Sequence, residues 1–206
     1  MDEKDRLIEA ILEIELRMFL TVNPVLTSAC QEDPKGFRLH RRAQFLPWAE
    51  ETLASYLEDL RAADGRGENL MRRKYALMQG PRAESGPDLE EIVRLEMEWQ
   101  RAMFRDYPAL MGGARPLTDD RTRAEMTSFE TYTRGELETY SPRTLELLRR
   151  DLAAMRARGE SLSEKIYDRL VRALGYASLA DAEQKLQARI NPRADGPHVV
   201  SPARPK

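Results

Sequence analysis

Glu15, Glu50 and Glu136 are the carboxylates whose spacing could give them unusual chemistry. Ile8, Ile11, Leu12, Phe19 and Val22 lie three, four or seven residues from Glu15, so a helix carrying them returns Glu15 to its apolar side. The same spacing sets Glu50 among Leu46, Leu53 and Leu57, and Glu136 between Tyr132 and Tyr140. An enclosed carboxylate needs a cation or hydrogen-bond donors, because unpaired it is costly to bury and takes up a proton instead. Arg41 and Arg134 are the candidate cations. Two readings follow. In one these residues make structural ion pairs or sit at the edge of an apolar arc. In the other they line a polar pocket, in which Glu15 or Glu50 handles a proton and Arg41 holds an anionic group.

The run His40-Arg41-Arg42-Ala43-Gln44-Phe45-Leu46-Pro47-Trp48 gathers the most versatile side chains. Arginine grips a carboxylate or phosphate through its planar fork, and an indole face packs on a flat ligand or a cation. His40 could shuttle protons near neutral pH, so the catalytic candidates are Glu15, Glu50 and His40. The ligand-binding candidates are Arg41, Gln44, Trp48, Tyr132, Arg134 and Glu136. The 40–48 run could equally just anchor a helix start. Cys30 falls in an expected loop nearby, reactive if its thiol pKa is lowered and inert otherwise.

Other chemistries lack their residues. One cysteine and two histidines, His40 and His198, leave no metal site to expect, and the Glu-x-x-His pairs of a di-iron bundle are missing. No phosphate loop, dinucleotide fingerprint or serine nucleophile elbow occurs, so no cofactor is expected. The 206 residues carry 33 basic and 35 acidic side chains, a formal charge of −2, which disfavours nucleic acid as a partner. No apolar run is long enough for a membrane span and no signal peptide is evident, so a cytoplasmic location is expected.

The elements that must position these residues read as helices. Apolar residues recur at helical spacing over 7–19, 37–43, 48–60, 70–78, 88–104, 129–140, 145–155, 166–174 and a last stretch after Ser178, with no convincing strand. Pro47 is expected in the first turn of the third helix, Ser141-Pro142 before the seventh, and Ser161 with Glu164 as a capping box. Thr52–Tyr75 aligns without gaps on Thr144–Tyr167 at a shift of 92 residues, with ten identities, including Gly67 with Gly159 and the Glu-x-Leu after each. The expected fold is therefore all-α: a compact helical bundle forming one domain over 1–190, built from two related units, 7–80 and 88–180, packed about a pseudo-two-fold axis. Residues 191–206 read as a flexible, Pro-rich tail.

Cys30-Gln31, Arg41, Gln44-Phe45, Trp48, Glu51, Ser55-Tyr56, Asp59-Leu60, Gly67, Asn69-Leu70 and Lys74-Tyr75-Ala76, followed by Ser128-Phe129-Glu130-Thr131-Tyr132 and Gly135-Glu136-Leu137, together resemble the bacterial domain-of-unknown-function family DUF4125. The resemblance runs from Leu7 to about Leu186. It implies a bacterial helical protein and carries no activity or catalytic residue to transfer. The leading functional expectation is a protein that binds a small anionic ligand or a protein partner in a groove between the two units. The alternative is an enzyme acting on a small anionic substrate by carboxylate acid/base chemistry. Helical arcs left uncovered would allow a homodimer.

Overall fold

The computed structural model describes residues 1–22, 33–81, 84–119 and 126–191. Cys30, His198 and the Pro-rich tail beyond Asn191 lie outside them. The described chain is all-α, without a strand: α1 (Glu3–Leu20), α2 (Pro34–Phe45), α3 (Glu50–Gly65), α4 (Leu70–Gln79), α5 (Pro87–Asp106), α6 (Phe129–Leu137), α7 (Pro142–Ala157), α8 (Leu162–Ala173) and α9 (Leu179–Ile190), with a 3-10 turn at Leu110–Gly113. Short polar residues set most of the starts. Asp2, Asp33, Asn69, Ser128, Ser141, Ser161 and Ser178 each accept a backbone N–H of the first turn, satisfying a donor the helix itself leaves unpaired.

The third helix starts later than its sequence suggests. Phe45 closes α2, and the Trp48 amide turns back to the Phe45 carbonyl at 3.0 Å, so Pro47 sits in the turn and α3 begins at Glu50. Leu46 and Glu50 therefore share no helix, and the spacing that set Glu50 on an apolar face does not apply.

A core of Ile8, Ile11, Leu12, Phe45, Trp48, Tyr56, Leu60, Ile92, Leu95 and Leu152 runs through the bundle, each residue at most 1% exposed. Around it α1 packs on α2, α3 and α4, and α5 packs on α6, α7 and α8; α3 lies against α7, α2 against α8, and α4 against α6. A smaller apolar cluster of Met103, Met111, Val171, Leu179 and Ala182 fastens α9 and the 3-10 turn to the ends of α5 and α8. The α4–α6 contact is close because of Gly135. A Cβ there would stand 2.6 Å from Met78 Cγ and 3.2 Å from the Lys74 carbonyl oxygen, so only glycine lets the backbones meet.

Candidate functional site

Helix α2 is strapped to α1 by charge. Arg38 pairs with Glu9, and Arg42 reaches Glu9 at 2.7 Å and Asp5 at 2.5 Å, all partly exposed. One residue between them, Arg41, turns inward. Its Nε donates to Glu15 Oε2 at 2.8 Å and its Nη2 donates to Glu15 Oε1, while Nη1 donates to Glu136 Oε1 at 2.6 Å and to Gln44 Oε1 at 2.8 Å. Tyr56 from α3 donates its hydroxyl to Glu15 Oε1 at 2.7 Å. Glu136 Oε1 also accepts from Tyr140 at 2.8 Å and from Gln44 at 3.1 Å, and its Oε2 accepts from Lys74 of α4 at 2.5 Å. Two carboxylates, two cations and two phenols from α1, α2, α3, α4, α6 and the turn after it thus form one buried, charge-balanced cluster.

Burial alone would favour a neutral Glu136, but the charges of Arg41 and Lys74 and their hydrogen bonds outweigh it and hold the carboxyl well below the usual range. Burial, then the neighbouring carboxylates, push the Tyr56 and Tyr140 phenols well up, so both remain protonated donors. Arg41 loses hydration on burial, yet Glu136 and Glu15 more than compensate and lock its charge in place. At the cluster's edge the Lys74 ammonium lies 3.5 Å from the centroid of the half-buried Tyr132 ring, and the Arg115 guanidinium 4.6 Å from the same ring.

Glu15, Arg41, Gln44 and Glu136 therefore meet, with Tyr132 beside them. The other candidates lie elsewhere. Glu50 is exposed in the first turn of α3, where an acid complements the helix dipole. His40 stays at the surface of α2; partial desolvation and then the charge of Arg41 lower its pKa. Arg134 points to α5, pairing with Glu90 at 2.6 Å and with Glu130 at 3.0 Å. Trp48 is a core residue, 1% exposed against Phe45, Tyr56 and Tyr140, and lines no opening.

Two ionisable residues, one in the cluster and one near it, escape the sequence reading. Lys74 sits in the run Arg72-Arg73-Lys74, which resembles a solvated face until the bare Gly135 brings α6 onto it. Glu96 falls on the buried arc of α5 between Val93 and Gln100, the same signal that singles out Glu15. Burial and then the charge of Glu136 push its carboxyl up to about 8, so it is a neutral acid near pH 7.

A family model described as protein of unknown function (DUF4125) matches residues 5–184. The chain belongs to the DUF4125 family. No curated protein and no solved structure matches it significantly. No helix of this DUF4125 chain is long and apolar enough, among the described residues, to cross a membrane.

An open concavity among the described residues lies outside the buried cluster. A cleft of about 620 Å³ opens between the end of α2, the end of α7 and one face of α8. Leu46 and Pro47, both partly exposed, supply its apolar surface, and the buried Met155 lies behind the lining. Arg158, Lys165, Arg169 and Arg172 face it with only Glu160 and Asp168 to offset them, an excess of two positive charges.

Proposed function

We propose that this protein binds an anionic ligand in the cleft between its two helical units, and that the Arg41 cluster is the fastening that holds α2, and with it the Leu46–Pro47 turn that borders the cleft. The carrying observation is the cleft's composition: four cations against two carboxylates beside Leu46 and Pro47, the turn after α2 coming from the first unit and α7 and α8 from the second. Helix α2 belongs in this reading because Arg41 ties it to α1 and α6 while its other contacts pack it on α8. The enzymatic alternative has less support at Glu15 and Glu136, since all four of their carboxylate oxygens already accept hydrogen bonds.

The division into two related units draws support from reciprocal contacts. Asp151 Oδ2 accepts from the Ala49 amide at 2.8 Å and from Thr52 at 2.6 Å; at the 92-residue shift, Asp59 Oδ2 accepts from the Ser141 amide at 3.0 Å and from Thr144 at 2.7 Å. Contact of i with j matched by contact of j's counterpart with i's is the signature of two-fold packing. Gly67 and Gly159 occupy the same turn with φ of 71° and 70°. At the same shift Gln44 matches Glu136 and Trp48 matches Tyr140, and each pair is in direct contact, as residues beside such an axis would be.

The cleft reading is tested by thermal melting with added phosphate and citrate at fixed ionic strength. Ligand at ten times its Kd should raise the Tm by about 3–6 °C, and the double variant Lys165→Ala/Arg169→Ala, which removes one cation from each end of the cleft, should abolish the rise. An anion response unchanged in that double variant would remove the cleft from consideration.

A further inference from the structure

The cleft's excess charge is divided between two ends. Lys165, Asp168, Arg169 and Arg172 fall at intervals of three, one and three residues, so they share one face of α8. At the start of the helix Arg158 and Lys165 both lean on Glu160, at 2.8 and 3.3 Å, leaving one positive charge in excess. Toward its end Arg172 pairs with Asp168 at 2.7 Å, while Arg169 has no acidic partner among the described residues, leaving another. From Lys165 to Arg169 and Arg172 the helix rises about 6–10 Å. A compact anion seated at either end leaves the other uncompensated, and an excess of only two charges is too little for the phosphate backbone of a nucleic acid.

Resting on the cleft reading above, we infer that the ligand is a linear dianion, with two anionic groups joined by an apolar spacer. One group meets Arg158 and Lys165, the other meets Arg169 and Arg172, and the spacer lies on Leu46 and Pro47. Once the first group is bound, the second engages at the high effective concentration its tether sets. Arginine at each end favours carboxylate or phosphate through its fork.

Isothermal titration of the full chain at constant ionic strength tests this with three probes: suberate, whose carboxylates stand about 9 Å apart when extended; octanoate, with the same chain and one charge; and malonate, with two charges and almost no spacer. Suberate should bind at least about tenfold more tightly than either of the others, a gain a second tethered contact readily supplies. Arg169→Ala and Lys165→Ala should each reduce suberate to the level of octanoate. If octanoate or malonate matches suberate while Arg169→Ala weakens all of them, the cleft binds anions and the dianion inference is wrong. If no probe binds, or Arg169→Ala changes nothing, the cleft reading and the inference fail together.

Discussion

Replacing Arg41 by methionine is the most informative single perturbation of the buried cluster. Methionine keeps much of the side chain's apolar bulk and removes the charge. Glu136 would retain Lys74, Gln44 and Tyr140, whereas Glu15, at 0% exposure, would lose both arginine bonds and keep only Tyr56. Stranding a buried charge in this way costs about 3–5 kcal/mol. In a chain of this size that lowers the Tm by roughly 6–20 °C and the urea midpoint by about 1–2 M. Glu15→Gln in the same background removes the stranded charge, so the double variant should lie only about 1–2 kcal/mol below wild type, about 2–3 kcal/mol more stable than Arg41→Met alone. Urea titrations of the four proteins of the cycle measure these quantities. An Arg41→Met cost under about 1 kcal/mol, or strictly additive substitutions, would refute the claim that Arg41 is the keystone of the cluster.

Glu96 and Glu136 should shape stability against pH in opposite directions. Glu136, held below its ordinary value, contributes stability that is present above the unfolded carboxylate range and is lost as pH falls beneath it; Glu96, raised to about 8, contributes stability that is lost as pH climbs from about 4.5 through 8. Glu96→Gln should flatten the upper limb, whose slope is at most about 1.4 kcal/mol per pH unit, and an unchanged limb in urea midpoints between pH 5 and 8 would reject Glu96 as its source. Gly135→Ala should cost about 1–3 kcal/mol, because the added methyl meets backbone oxygen at 3.2 Å and must push α6 off α4, lengthening the Lys74–Glu136 contact. Gly65→Ala, with no atom within 4 Å of the new Cβ, is the matched control and should be neutral or stabilising by up to about 1 kcal/mol in the same melts.

The helices were legible because each is amphipathic and most begin on a residue that can cap. Glu15 and Arg41 were legible for a related reason: a charge on an apolar arc must find a partner, and an inward-facing arginine on a neighbouring helix is the economical one. Glu50 misled because the spacing argument holds only within one helix, and the turn at Leu46–Ala49 separates it from Leu46. Arg134 misled because periodicity fixes a face but not which neighbour covers it; α5 brings Glu90 to that face. Lys74 was hidden for the converse reason, since what buries it is a glycine sixty-one positions away in the sequence.

On the two-unit reading proposed above, Arg41, Tyr56 and Lys74 correspond at the 92-residue shift to Thr133, Leu148 and Ile166, so α6, α7 and α8 form with uncharged residues where α2 and α4 carry Arg41 and Lys74. Helices of this pattern can therefore form without the two cations, and a hydrophobic replacement of a buried ion pair is often no less stable than the pair itself. The helix that carries Arg41 is the one followed by Leu46 and Pro47 at the cleft. On the proposed function, rigid placement of that helix through hydrogen bonds of fixed geometry is what the charged cluster would provide and what apolar packing alone would leave free to adjust.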